Sequence, residues 1–331
     1  MTARIEAATS AAIARAVERL RAGELVGFPT ETVYGLGADA NNGAAVRRIF
    51  AAKGRPADHP LIVHLPDASH VPRWAREFPG GARALAEAFW PGPLTLVLPR
   101  TSRASDVVTG GEDSVGLRVS SHPVAHDLLS AFGDGIAAPS ANRFGRISPT
   151  TAEHVAGDLG SAVSLILDGG ACEVGIESTI VAFVEGAAVL LRPGGIQVAD
   201  LARVLGRPLQ SPGSAAPRAP GTLPAHYAPR TSAALVAPDA LKAELEQFAA
   251  RDEVAAVLAR TVARPGDFEG IWIDAPKDGA RYAHDLYAHL RTLDAANADV
   301  ILIEAVPGGD EWLAVRDRLT RATRGEEDDR D

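Results

Sequence analysis

Cysteine is almost missing from this chain: Cys172 is the only one in 331 residues. That excludes an intramolecular disulfide and any cysteine-based zinc site, and a cytoplasmic address is the default expectation. Long apolar runs are missing too. No stretch of about 18 apolar residues occurs, so no membrane-spanning helix is expected. The opening segment "MTARIEAATSAAIARAVERLRAG" is amphipathic, with Ile13, Val17 and Leu20 on one face, and lacks the apolar core of a signal peptide. Positive charge is in deficit, with Lys+Arg 33 against Asp+Glu 42 and a net charge of −9. Bulk, non-specific nucleic-acid binding needs a strong positive field and is disfavoured; a local basic groove is not. No GxxxxGK[ST] loop, GxGxxG fingerprint or kinase motif set is present. His59 and His64 have no cysteine partner and no HExxH frame, so no protein-held metal is expected.

What is present describes an α/β protein. The chain is 46% hydrophobic and 23% charged, enough to bury a core. Gly 32 and Pro 23 supply many turns. A first helix is expected from a Ser10 N-cap to Gly23, and a second over "GAAVRRIFAAKG", stopped by Gly54. Strands and helices interleave as far as Leu209 without a break, which predicts one open-sheet α/β domain over 1–209. The segment "QSPGSAAPRAPGTLPAHYAPRTS" breaks the pattern, and residues 210–231 read as a Pro/Gly-rich linker. Residues 232–325 then repeat an α/β pattern and predict a small three-layer, Rossmann-like domain with parallel strands. Residues 326–331 form an acidic tail, expected to be disordered.

Four stretches of the first domain place small or polar groups where a strand becomes a loop, the position at which open α/β sheets bind ligands. They are "FPTETVYGLG", "KGRPADHPLIVH", "SVGLRVSSHP" and "APSANRFGRISPT"; "GIESTIVAF" and "LRPGG" follow later. Thr30, Glu31 and Thr32 either serve a ligand or form a turn with a capping box. Lys53 and Arg55 flank Gly54 at a helix end, where the helix dipole accounts for one cation well and two less well. Arg118 sits among apolar residues inside a strand and needs a partner, for which a bound anion is the expectation. Ser140 and Asn142 open a loop, by an Asx turn or for a ligand. Together Lys53, Arg55, Arg118 and Arg192, with hydroxyls from Thr32, Ser140, Ser148 and Ser178, suit a polyanion, most simply a nucleoside triphosphate with a small polar co-substrate. Cys172 reads as a small buried apolar residue.

These stretches, in this order, resemble the YrdC-like threonylcarbamoyl-AMP synthase family. The matching segments are "FPTETVYGLGADA" (28–40), "KGRP" with "HPLIVH" (53–64), "WPGPLTLVL" (90–98), "VGLRV" (115–119), "APSAN" (138–142), "GIESTIV" (175–181) and "LRPGGI" (191–196). The "HYAP" linker (226–229) and the trailing domain resemble the long, two-domain form. The resemblance implies a twisted open sheet with a large basic cavity. It implies conversion of L-threonine, bicarbonate and ATP, with Mg²⁺, to L-threonylcarbamoyladenylate and pyrophosphate, by a nucleotidyltransferase. The product would feed threonylcarbamoylation of adenosine 37 in tRNAs through a separate transferase; direct contact with tRNA is left open. By the same resemblance, Thr32, His64, Arg118, Ser178 and the backbone at Ala138 would hold threonine. Arg55, His59, Ser114, Ser140, Ser148 and Arg192 would contact ATP. Lys53 and Asn142 would complete the catalytic set around the phosphates with Arg55 and Ser140. Tyr227, with His226, would close over the nucleotide. Position 59 is His where the family more often has Asn or Lys, and "APGTLPAHYAP" lacks the Met and Lys/Tyr expected early in the linker.

Two other readings share this domain type. A tRNA- or double-stranded-RNA-binding module could use the same basic cavity, against which the −9 net charge counts. A carbamoyl-phosphate-using enzyme of hydrogenase maturation would need cysteine zinc fingers, which one cysteine cannot supply.

Overall fold

The computed structural model describes residues 4–221 and 225–324. The acidic tail at 326–331 and linker residues 222–224 lie outside the described residues. The described chain falls into two compact units. The first holds residues 4–144 and 148–221, and the second holds 145–147 and 225–324. The Pro/Gly-rich segment is thus shared: 210–221 folds with the first unit and 225–231 with the second.

The strands of the first unit are β1 (Ile5–Ala7), β2 (Val26–Phe28), β3 (Gly35–Asp39), β4 (Ile62–His64), β5 (Leu94–Pro99), β6 (Ser114–Arg118), β7 (Ile136–Ala137), β8 (Leu165–Asp168), β9 (Thr179–Val184) and β10 (Ala187–Arg192). Its helices are α1 (Ser10–Arg21), α2 (Gly43–Lys53), α3 (Val71–Trp74), α4 (Gly80–Phe89), α5 (Asp106–Thr109), α6 (Pro123–Phe132), α7 (Ala152–Leu159) and α8 (Val198–Leu205). The strands form one mixed sheet in the order β1-β8-β2-β3-β7-β4-β6-β5-β9-β10. Neighbours β4 and β6 run parallel, as do β5 and β9, while β4 and β7 are antiparallel, as are β5 and β6.

Local chemistry explains the helices. In α1 the residues Ala12, Ile13, Ala16, Val17 and Leu20 make one buried stripe. The helix is capped by Thr9, whose hydroxyl accepts from the Ala12 N–H at 3.3 Å, and not by the expected Ser10, which is its first turn. Thr9 is in extended backbone (φ −77°, ψ 162°), the conformation an N-cap requires. In α2 the Asn42 side chain accepts from Ala44 and Ala45 N–H, and Gly54 ends the helix in the left-handed region (φ 65°).

The sheet faces differ. On one, Leu61, Val63, Leu94, Leu96, Leu98, Val115 and Leu117 pack against Ile49 of α2, Leu85 of α4 and Leu201 of α8. On the other, α1 and α6 cover Val26, Phe28, Ile136 and Ala138. Farther along that face, Ile62, Val97, Ile180 and Ala182 are covered by Ala219, with Ala216 beside it, from the linker.

The second unit contains β11 (Ala233–Val236), α9 (Leu241–Ala250), β12 (Ala255–Ala259), β13 (Trp272–Asp274), α10 (Gly279–Asp294), β14 (Val300–Glu304) and α11 (Leu313–Ala322). The strands lie in the order β11-β14-β12-β13 and all pairs are parallel, as the alternating pattern predicts. Leu241 and Leu245 of α9 cover Val257, Val300 and Leu302.

Candidate active site

Strand register assembles the site. His64 pairs with Arg118 and Ile62 with Gly116 across β4 and β6, and His64 pairs with Ile136 across β4 and β7. Alternate residues on a strand share a face, so His64 and Arg118 stand on the face that carries Ile136 and Ile62. They lie between the part covered by α1 and α6 and the part covered by Ala219. Ser114, Gly116 and Arg118 share that face too, with Ser114 half-buried at the opposite end of β6 from Arg118.

Arg118 is buried. Its Nη2 donates to Thr32 Oγ1 at 2.8 Å and lies 2.8 Å from Glu31 Oε1. Ser120 Oγ donates to the other Glu31 oxygen. Burial would raise the Glu31 pKa, but the Arg118 charge and the hydrogen bonds from Ser120 and Arg118 overcome it and hold the carboxyl below its ordinary value. Glu31 therefore stays an anion, and it leaves Arg118 Nε without a hydrogen-bond partner among the described residues. Thr30 builds the turn beneath: its hydroxyl donates to Val33 O at 2.6 Å and accepts from the N–H of Thr32 and of Val33.

His64 is buried with its ring edge-on to Phe28 at 5.8 Å. Burial, reinforced by the Arg118 charge, pushes its pKa down to about 3. The imidazole is thus neutral at ordinary pH, and its Nδ1 has no hydrogen-bond partner among the described residues. The sign of the linkage follows. Between its ordinary value of 6.5 and about 3, the unfolded chain binds a proton that the folded chain refuses, so stability falls as pH falls through that window. The expected slope from His64 is at most about 1.4 kcal/mol per pH unit. Urea unfolding at pH 7 and pH 5.5 should therefore show a smaller acid loss for His64→Gln, by about 1 kcal/mol. Equal losses in both proteins would mean that His64 is not buried as a neutral ring.

Ser178 is held from two sides. Its Oγ is 2.8 Å from Thr95 Oγ1, and Arg192 donates to Ser178 O from Nε (3.1 Å) and Nη2 (3.0 Å) and to Ser178 Oγ from Nη2 (3.1 Å). Arg192 Nη1 donates to Pro220 O at 2.9 Å, tying the linker to the site. The glycine pair after Arg192 has a steric reason: a Cβ on Gly194 would stand 2.3 Å from Thr179 N. The backbone at Ala138 joins the group, with its N–H donating to Ile62 O at 2.9 Å.

A second cluster gathers Lys53, Ser140 and Asn142. Lys53 Nζ donates to Ser140 O (2.6 Å), Asn142 O (2.5 Å) and Asn142 Oδ1 (3.2 Å). Burial, and then the Arg55 charge, push the Lys53 pKa well down, but these three oxygens use the three donors of an ammonium. Ser140 Oγ donates to Asn142 Oδ1 at 2.6 Å. Arg55 Nη2 donates to Pro60 O at 3.0 Å, and its guanidinium lies 5.7 Å over the Phe144 ring. His59 meets the same ring edge-on at 5.4 Å, and burial and the Arg55 charge lower its pKa. Ser148 Oγ donates to Glu177 Oε1 at 2.5 Å, both groups being buried.

Tyr227 and His226 belong to the second unit. There the Tyr227 ring lies 4.2 Å from the His226 ring and 5.9 Å from Tyr287, with the Arg318 guanidinium 5.1 Å over it. Tyr227 adopts φ 63°, a left-handed backbone that is unusual for an aromatic residue. Cys172 is buried, and burial pushes its thiol up to about 12, so it is inert.

Sequence reasoning named the cations and hydroxyls but not the acids that answer them. Glu177, Thr95 and Ser120 went unnamed, and Glu31 appeared as a ligand or turn residue, not as the partner of Arg118. The available signal was the acid inside each polar motif, "TET" and "IES", because a carboxylate in a buried turn needs a donor.

The family model described as "Telomere recombination", of Sua5, YciO and YrdC, matches residues 18–194. The model described as "Threonylcarbamoyl-AMP synthase, C-terminal domain" matches residues 196–323. The chain is 40% identical over 312 residues to the threonylcarbamoyl-AMP synthase of Pyrococcus abyssi (strain GE5 / Orsay), covering 92% of each. It is 39% identical over 324 residues to that of Bacillus subtilis (strain 168), covering 95% of this chain and 93% of the relative. The crystal structure of P. abyssi Sua5 complexed with L-threonine superposes with a TM-score of 0.88 at 37% identity, covering 97% of both chains. With such matches along nearly its whole length, the chain belongs to the Sua5/YciO/YrdC family, in the two-domain form of the threonylcarbamoyl-AMP synthases.

Proposed function

We propose that this chain makes L-threonylcarbamoyladenylate from L-threonine, bicarbonate and ATP, releasing pyrophosphate, as a nucleotidyltransferase. The observation that carries the reading is the buried Arg118 beside a neutral His64 on the paired strand, with no hydrogen-bond partner among the described residues for Arg118 Nε or His64 Nδ1. A guanidinium N–H is a donor suited to an amino-acid carboxylate, and neutral imidazole can meet a polar group without adding charge. In this reading Arg118 takes the threonine carboxylate, and Thr32, His64, Ser178 and the Ala138 backbone surround the rest of the amino acid. Arg55, His59, Ser114, Ser140, Ser148 and Arg192 serve ATP. Lys53 and Asn142 position the loop that presents Ser140, since the Lys53 ammonium is already engaged by that loop.

The reaction needs no nucleophile from the protein. The threonine amine attacks the carbon of bicarbonate, whose C–OH bond breaks to release water, or of CO₂ already formed by that loss of water, and gives up a proton to become a carbamate. A carbamate oxygen then attacks the α-phosphorus, and the bond to the bridging oxygen breaks to release pyrophosphate. Both steps bring anions together, so the contribution of Arg55 and Arg192 is to offset charge and fix geometry. Mg²⁺ comes in on the ATP phosphates, as part of the substrate. The adenylate then passes to a transferase acting on tRNA. No helix among the described residues is long and apolar enough to cross a membrane, and we place the enzyme in the cytoplasm.

Pyrophosphate release with threonine and bicarbonate omitted in turn tests the reading. Release is expected to need both; release that ignores both omissions overturns it. Arg55→Ala should lower turnover by about 10²-fold, the usual loss of one charge-stabilising donor, with an unchanged far-UV spectrum. Wild-type turnover would remove Arg55 from the site.

A further inference from the structure

In the second unit, the C-terminal ends of the parallel strands β12 and β14 carry a group of residues that the reaction above does not use. The C-terminal ends of parallel strands are where open α/β sheets hold ligands. Glu304, the last residue of β14, is fully buried. Its Oε2 accepts from three successive backbone N–H groups, of Arg260 (2.6 Å), Thr261 (2.7 Å) and Val262 (3.1 Å), and Thr261 Oγ1 donates to Oε1. Successive N–H groups converging on one point make an anion nest, and here the protein fills it with its own carboxylate. Glu304 is thereby answered without the Arg260 side chain.

That side chain is left over. The Arg260 guanidinium lies 5.4 Å over the Trp312 ring, and its Nε is buried without a hydrogen-bond partner among the described residues. The Tyr282 ring meets the same indole edge-on at 5.6 Å. Tyr282 is 1% exposed, and its hydroxyl also has no hydrogen-bond partner among the described residues. A buried phenol without a partner costs stability, and a guanidinium stacked on an indole keeps its in-plane N–H groups for another acceptor. Two unused donors thus border one aromatic wall, next to a carboxylate whose charge is already met.

We propose that this group of residues binds a small oxyanion, a phosphate or a carboxylate, on Arg260 and Tyr282 against the Trp312 indole. The proposal is independent of the catalytic reading, because none of these residues takes part in it. The orphaned donors favour an anion over a cation, and the Glu304 carboxylate already accepts four hydrogen bonds.

The test labels the full chain with 5-fluorotryptophan and follows the four ¹⁹F resonances, assigned by Trp→Phe substitution. Inorganic phosphate and acetate are titrated separately at constant ionic strength, with chloride as the balancing anion. Saturable movement of the Trp312 resonance is expected. Phosphate acting at lower concentration assigns a phosphoryl ligand, and acetate acting at lower concentration assigns a carboxylate. Arg260→Gln should weaken the effect by about ten-fold, as expected for loss of a charge-assisted contact. Tyr282→Phe should weaken binding several-fold yet raise the unfolding temperature without ligand, a pair of opposite signs that a purely structural tyrosine would not give. No saturable movement with either anion, or equal movement in Arg260→Gln, overturns the proposal. Binding at the catalytic unit would move other tryptophans and persist in both variants.

Discussion

Arg118→Gln is expected to abolish threonine-dependent pyrophosphate release and to cost about 3–5 kcal/mol of stability, the range for breaking a buried ion pair by removing one partner. The guanidinium and the Glu31 carboxylate have side chains 4% and 3% exposed and stand 2.8 Å apart. Once the cation is gone, the carboxylate keeps only Ser120 and local backbone to answer its charge in a dry site. Its pKa should then rise, because burial now meets less opposition. Glu31→Gln in the Arg118→Gln background should recover most of the lost stability, since two neutral amides need no counter-charge. It should not recover activity, because no cation remains for the threonine carboxylate. Urea unfolding of the wild type, both single variants and the double variant measures this, alongside the release assay. If Arg118→Gln unfolds at the wild-type urea concentration, the pair does not hold this turn. If the double variant turns over threonine normally, Arg118 is not its anchor.

Lys53→Met is expected to have the next largest effect. The substitution keeps the volume of the stem but removes the three Lys53 donors from Ser140 O, Asn142 O and Asn142 Oδ1. Asn142 Oδ1 retains the Ser140 hydroxyl at 2.6 Å, so two backbone carbonyls bear most of the loss. Losing the ammonium from these buried acceptors costs roughly 2–4 kcal/mol. The loop that carries Ser140 should loosen with them, and the KM for ATP should rise more than about ten-fold. Threonine affinity should move little, because Arg118 on β6 and its partners Glu31 and Thr32 in the loop after β2 are bonded to one another, whereas Lys53 is bonded to the Ser140–Asn142 loop. Lys53→Arg should rescue only in part, since a planar fork cannot aim three N–H groups from one nitrogen. Steady-state kinetics with each substrate varied decides the matter. Equal rises in both KM values would point to general unfolding, and an unchanged ATP KM in a destabilised variant would separate this loop from the nucleotide.

Much of this was legible in the chain before any folding. Gly54 as a left-handed helix stop, the parallel character of the small sheet and the polar motifs at strand ends all follow from local rules. The N-cap of α1 was misplaced by one residue because Thr9 and Ser10 have similar side chains, and only the extended backbone at Thr9 distinguishes them. The use of Lys53 was harder to see. Its position at a helix end suggested a charge displayed for a ligand or a dipole, whereas the folded chain buries it in a loop 87 residues away.

By itself the sequence determined which residue types could work and where each stood on its own element: cations and hydroxyls at strand and helix ends, and a linker that could not be a helix. Hydrophobic period and turn chemistry act over a few residues, so they are readable one segment at a time. Only the tertiary structure decided who faces whom. The register that sets His64 beside Arg118, the return of Glu31 and Thr32 to that guanidinium, and the seating of Arg192 on Ser178 join segments far apart in the chain. Such pairings are set by packing of both sheet faces at once, and a slip of one residue in any strand would turn its side chains to the opposite face.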